Sequence, residues 1–246
     1  MDPWFPHAKK HRPGKFRLFC LPYAGGGASV FRGWAERLPP TLELWPVHLP
    51  GRESRIGDPA IARALPLVEA LIPRLRPYLN VPYAFFGHSM GGLLAFELLR
   101  RISQEGLPMP VRVIVSARQA PHLPFRSESV HELDDAKFVA SVRDLNGTPE
   151  EVLNEPELLA LVLPTLRADF ALCETYTYQP GPTPDCILSP YGGLEDSHVH
   201  REDLEAWRTY ATHVSPVRMF PGGHFFLHTA RAQLLHAIAG ELAPHL

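Results

Sequence analysis

The sequence predicts an α/β fold, a mainly parallel sheet with helices on both faces. Short apolar runs bounded by Gly and Pro recur along the chain, and longer segments with helical spacing lie between most of them. Strands that alternate with helices are joined by crossovers, so they run parallel and are covered on both sides. The length of 246 residues, with 45% hydrophobic and 20% charged residues, suits one continuous core. The expectation is therefore a single domain over residues 1–246.

The elements follow in order. Phe16–Leu21 reads as the first buried strand, Val30–Leu38 as a helix, Leu44–Leu49 as a strand and Ile61–Leu79 as a helix. Tyr83–Phe86 and Val111–Ser116 are two further strands, with helical spacing over Met90–Ile102 between them. After Pro121 the rhythm breaks, because Leu133–Leu145 and Glu157–Tyr176 are helical in succession with no strand between them. The break ends at Gln179-Pro180-Gly181-Pro182-Thr183-Pro184, whose prolines stiffen the return to the sheet. Residues at about 122–184 are expected to form an inserted helical lid that excludes water from a pocket and shapes it. The alternation then resumes with strands Cys186–Tyr191 and Val217–Phe220 and helices Asp203–Thr212 and Ala230–Leu242.

Composition excludes several classes. A formal net charge of −2 argues against polyanion binding, so no nucleic acid partner is expected. No run approaches the ~20 apolar residues that span a bilayer, so no membrane association is expected. Met1–Lys15 carries Pro, His, Lys and Arg without the apolar stretch of a secretory signal. Cys20, Cys173 and Cys186 are odd in number and in no CxxC spacing, which suits free thiols in a reducing compartment and a cytoplasmic protein. No heptad or uniform apolar stripe demands association, so a monomer is expected.

The strongest chemical signal is Gly87-His88-Ser89-Met90-Gly91, set between the strand that ends at Phe86 and a helical run. In such a nucleophile elbow the serine sits on a strained strand-to-helix turn, and the flanking glycines remove side chains that would collide there. This context specifies the α/β-hydrolase fold, with Ser89 as candidate nucleophile. A serine hydroxyl needs a histidine base and a carboxylate that orients it, in this fold in the chain order Ser, acid, His. His224, in Pro221-Gly222-Gly223-His224 after the last strand, is the preferred base among thirteen histidines. His228 is the nearest rival; the pair has the i, i+4 spacing of metal ligands, but Phe225 stands where an HExxH site places its glutamate, so no metal is expected. Asp196 is the preferred acid and the adjacent Glu195 its rival, both on the turn after Cys186–Tyr191. The oxyanion needs backbone donors: Met90 N–H directly after the nucleophile, and a second from the loop Pro22-Tyr23-Ala24-Gly25-Gly26-Gly27. That loop lacks the Gly-Lys-Ser/Thr ending of a phosphate-binding loop.

Nearly the whole chain resembles type II thioesterases, the free-standing editing hydrolases that accompany polyketide and nonribosomal peptide synthases. The resemblance lies in Leu21-Pro22-Tyr23-Ala24-Gly25-Gly26-Gly27-Ala28, Leu49-Pro50-Gly51-Arg52-Glu53-Ser54-Arg55 and the serine motif. It continues in Leu166-Arg167-Ala168-Asp169-Phe170, Glu174-Thr175-Tyr176 and Gly222-Gly223-His224-Phe225-Phe226-Leu227. It implies Ser89, Asp196 and His224 as triad, Ala24 and Met90 as oxyanion donors, and no cofactor, the phosphopantetheine being carried by the substrate. It implies as partners the acyl or peptidyl carrier domains of a biosynthetic synthase, from which stalled or misprimed acyl groups are hydrolysed. Two departures stand out: Gly193-Leu194-Glu195-Asp196 replaces a more Asp-rich turn, and Ser116-Ala117-Arg118-Gln119 replaces a usual Ser-Gly-Arg-Arg. Arg52 and Arg55 suggest carrier docking, but a loop held by local hydrogen bonds is the favoured reading. Rival functions are a chain-releasing fatty acyl thioesterase, a general carboxylesterase, and a catalytically silent acyl-carrier binding module.

Overall fold

The computed structural model describes residues 2–6, 16–125, 129–145 and 147–246. Most of the Met1–Lys15 stretch, and residues 126–128 and 146 of the expected lid, lie outside the described residues. Among the described residues seven strands form one sheet: β1 (Phe16–Leu21), β2 (Leu42–Pro46), β3 (Tyr83–His88), β4 (Arg112–Ser116), β5 (Ile187–Gly193), β6 (His213–Val214) and β7 (Arg218–Phe220). Their order is β2-β1-β3-β4-β5-β6, with β7 also on β5, and every pairing is parallel.

The apolar runs are continuous because both sheet faces are covered. Phe19, Leu21, Phe85, Val113 and Val115 point into one core with helices α1 (Ala64–Leu75) and α2 (Met90–Gln104). Their alternates Leu18, Cys20, Ala84, Phe86 and Ile114 point into the other, against α8 (Arg231–Leu242). Between β4 and β5 lie α3 (Asp135–Asp144), α4 (Glu150–Asn154) and α5 (Pro156–Glu174), with a small core of Phe138, Val142, Leu153 and Leu166. α6 (Arg201–Glu205) follows β5, and α7 (Phe226–Thr229) precedes α8.

Several elements depart from the sequence reading. Val30–Leu38 is not a helix but two 3-10 turns, Ala28–Phe31 and Ala35–Arg37, separated at Gly33 with φ 79°. β2 ends at Pro46, short of the expected Leu49. The helix expected over Ile61–Leu79 stops at Leu75 and passes into a 3-10 turn over Arg76–Tyr78, where Pro77 has no N–H to continue the ladder. Asp203–Thr212 divides into α6 and a 3-10 turn over Ala206–Thr209. The short elements α4, α7 and β6 are too brief to give a periodic signal. Among the described residues no helix is long and apolar enough to cross a membrane.

Candidate active site

The carboxyl ends of β1, β3, β4 and β5 converge on one edge of the sheet. At the end of β3, Ser89 has φ 54° and ψ −113°, outside the regions ordinary L-residues occupy. The turn is tight: a Cβ on Gly87 would lie 1.9 Å from Gly91 O, and one on Gly91 would lie 2.1 Å from Leu21 O. Ser89 N–H donates to Ser116 O at 2.7 Å, which ties the elbow to β4. Backbone strain of this kind persists only where its surroundings enforce it. Here the result is a partly exposed hydroxyl at the N-terminus of α2.

Asp196 and His224 come from the loops after β5 and β7. His224 Nδ1 is 2.8 Å from Asp196 Oδ2, and the Asp196 carboxylate is buried. Asp196 Oδ1 accepts from His198 N–H at 2.9 Å and Val199 N–H at 3.1 Å. Burial raises the carboxyl's pKa, but the bond and charge of His224 and the two backbone donors outweigh it, leaving Asp196 below its ordinary value. It is therefore an acceptor at neutral pH. Glu195 is exposed, and its N–H donates to Gly222 O at 3.0 Å, while its side chain makes no hydrogen bond among the described residues.

With His224 Nδ1 bonded to Asp196, Nε2 is the ring nitrogen left uncommitted, and Ser89 stands on the same cavity. Both residues line one cavity of about 360 Å³, near the lower end of small-molecule pockets. Phe125, Val130, Leu133, Leu145, Phe170 and Phe225 make most of its wall apolar. Ala24 lines the same cavity, and no hydrogen bond among the described residues takes the N–H of Ala24 or of Met90.

Three contributions escaped the sequence reading. His88, the variable position of the serine motif, is fully buried with Nε2 2.8 Å from His224 O and Nδ1 2.9 Å from Ser116 Oγ. A carbonyl only accepts, so Nε2 carries the proton and Nδ1 accepts from the serine hydroxyl. Burial, followed by the nearby His224, pushes the pKa of His88 well below 6.5, so the ring is neutral and braces the backbone of His224. Arg118, buried on the cavity wall, carries its guanidinium over the Phe125 ring at 5.8 Å. Asp169 of α5 receives Arg52 through two bonds, Nη1 to Oδ2 at 2.7 Å and Nη2 to Oδ1 at 2.9 Å.

Arg52 is thus held inside the protein, by a partner far away in the chain as well as by its own loop. Arg55 donates to His48 O at 2.8 Å and to Asp58 Oδ2 at 2.8 Å. His228 Nε2 lies 3.1 Å from the Tyr23 hydroxyl, and burial lowers its pKa. No group of three or more His, Cys, Asp or Glu placed to hold a metal occurs among the described residues.

Comparison with known proteins gives a consistent result. The thioesterase domain family matches residues 16–242. The gramicidin S biosynthesis protein GrsT of Aneurinibacillus migulanus is 40% identical over 242 residues, 98% of this chain and 94% of that protein. The RedJ thioesterase from the prodiginine pathway of Streptomyces coelicolor superposes with a TM-score of 0.86 at 38% identity, covering 94% of this chain and 87% of that one. The type II thioesterase BorB from the borrelidin biosynthetic cluster gives a TM-score of 0.86 at 37% identity, with 94% of each chain covered.

Proposed function

We propose a function on one premise: the chain belongs to the thioesterase domain family and is a serine hydrolase acting on thioesters. It is a type II thioesterase that hydrolyses stalled or aberrant acyl groups from the phosphopantetheine arm of carrier domains in polyketide or nonribosomal peptide synthesis. The observation that carries the mechanism is the buried Asp196–His224 hydrogen bond beside a strained Ser89 on the same cavity.

Ser89 Oγ attacks the thioester carbonyl while His224 Nε2 takes its proton, and Asp196 stabilises the imidazolium. The N–H groups of Ala24 and Met90 receive the oxyanion of the tetrahedral intermediate. Collapse breaks the C–S bond, and the pantetheine sulfur leaves with the proton held on His224. Water, deprotonated by His224, then attacks the Ser89 ester, and the free acid departs as the proton returns to Ser89. No step calls for a metal or cofactor. The insertion at about 122–184 acts as the lid over the cavity. Buried Cys20, Cys173 and Cys186 suit a reducing, cytoplasmic setting, and each step is performed by a monomer.

Holo carrier proteins loaded with acetyl, propionyl and long-chain acyl groups test this, with acyl loss followed by intact mass. Fast release of the short groups is expected, and Ser89→Ala lowers turnover by a factor on the order of 10⁵ to 10⁶ with the fold retained. Preferential release of long chains would point to a chain-releasing enzyme. Substantial activity in Ser89→Ala would refute the nucleophile.

A further inference from the structure

The oxyanion loop between β1 and the Ala28–Phe31 turn has little regular structure of its own, its one internal backbone bond at the glycines running from Gly26 N–H to Tyr23 O at 2.9 Å. At its far end Glu53 takes the N–H groups of Ala28 and Ser29, and a further anchor comes from the lid. Gly25 N–H donates to Asp169 Oδ2 at 2.7 Å, and that oxygen also accepts from Arg52 Nη1 at 2.7 Å. Arg52 Nη1 reaches Gly26 O at 3.0 Å, and Arg52 Nε reaches Pro50 O at 3.2 Å. Asp169 is 1% exposed and Arg52 6%. A lid carboxylate and a guanidinium from the Arg52 loop therefore grip the N–H of Gly25 and the C=O of Gly26, next to Ala24. Leu166, one turn before Asp169, presses on the same place: a Cβ on Gly25 would lie 2.4 Å from Leu166 Cδ2.

We propose that Asp169, held by Arg52, is a positioning residue for the Ala24 N–H, so that half of the oxyanion hole is set by the seating of α5. The inference rests on the reading of Ala24 and Met90 as oxyanion donors. An ion pair is not the obvious way to dock a helix, since a buried pair often stabilises no more than apolar groups of similar volume. Only an acceptor at this point can hold the Gly25 N–H, and a charge-assisted bond fixes it more closely than a neutral one. That bond fixes the Ala24–Gly25 peptide and, through the Ala24 Cα, constrains the preceding Tyr23–Ala24 peptide, which carries the Ala24 N–H. Met90 N–H is held by the elbow and α2, independently of the lid. Loosening Asp169 should therefore cost stabilisation of the tetrahedral state and leave acyl binding largely in place.

The test compares wild-type protein with Asp169→Asn and with the double variant Arg52→Met/Asp169→Leu, which leaves no buried charge unpaired and so guards against loss of folding. For each folded protein, kcat and KM are measured on an acetyl-pantetheine thioester, together with the affinity for an alkyl boronic acid whose serine adduct places an oxygen in the oxyanion hole. The expected result is a kcat about 10- to 100-fold lower in both variants, less than the loss of a whole donor. KM should move less than about 3-fold, and boronate affinity should fall by the same factor as kcat/KM. A folded double variant with kcat within about 2-fold of wild type would overturn the proposal, as would a loss carried by KM with boronate affinity unchanged. Wild-type protein that neither hydrolyses the thioester nor binds the boronate would overturn the underlying donor assignment as well, and this shows before any variant is made.

Discussion

Asp196→Asn is a demanding test of the site because the substitution changes chemistry with almost no change in shape. Asp196 Oδ2 faces His224 Nδ1 at 2.8 Å, while Oδ1 accepts from His198 and Val199 N–H. An asparagine keeps Oδ1 on those two backbone donors, so its Nδ2 must face His224. An NH₂ group there cannot accept from Nδ1–H, and it favours the tautomer with the proton on Nε2, the nitrogen proposed to take the proton of Ser89. The equivalent change in a serine protease triad lowers kcat about 10⁴-fold, or about 5.5 kcal/mol of transition-state stabilisation. The same loss is expected here, with KM little changed and a melting temperature close to wild type. Glu195→Gln, on an exposed neighbour whose side chain makes no hydrogen bond among the described residues, should stay within about 2-fold of wild type, as surface changes usually do. The assay is release of the pantetheine thiol from an acetyl thioester, followed with a thiol-reactive dye. An Asp196→Asn protein with more than about a tenth of wild-type kcat, or an equal loss from Glu195→Gln, would refute the assignment of the acid.

Three more outcomes follow from the geometry. Gly87→Ala should destabilise the protein by more than about 3 kcal/mol or prevent its accumulation, because its Cβ would meet backbone at Gly91 O and a rigid turn has nowhere to move; chemical denaturation measures this. His88 has a folded pKa well below its unfolded 6.5, so the unfolded chain binds more protons and stability contributed above pH 6.5 is lost as pH falls through it. About 1 kcal/mol of the loss between pH 6.5 and 5.5 should therefore be absent from His88→Gln, while the shares of His48, His198 and His228, also lowered by burial, persist; equal pH slopes would show that His88 is not held neutral. Phe138→Ala, at the centre of the lid's own small core, should weaken that core by about 3–5 kcal/mol and lower kcat/KM. Hydrogen exchange should then lose protection in α3 and α4 and keep it in α2, and uniform loss would mean that the lid does not open as a unit.

What the sequence disclosed, and what it did not, divides along the range of the interactions. The strands were legible because Phe16–Leu21 and Tyr83–His88 are buried on both faces, and a continuous apolar run between glycines and prolines is the local trace of that burial. The elbow was legible because its steric demand falls on Gly87 and Gly91, two residues from the serine on either side. Val30–Leu38 misled because apolar spacing outweighed one glycine, and Gly33 at φ 79° ends a helix whatever the spacing around it. Ala117, where the resemblance expects glycine, adopts φ 49°, so the backbone demand persists after the residue suited to it has gone. The bonds that brace the site left no periodic signal: Gly25 to Asp169 spans 144 residues, Arg52 to Asp169 spans 117, and His88 reaches His224 O across 136. Each joins a strand, loop or helix to another that only the closed sheet brings near it, and each ends on a group beside Ser89, His224 or the Tyr23–Gly27 loop rather than on the triad side chains the sequence singled out. The sequence could therefore nominate Ser89, Asp196 and His224 from their own surroundings, whereas the residues that hold them and the oxyanion loop in register belong to the fold as a whole.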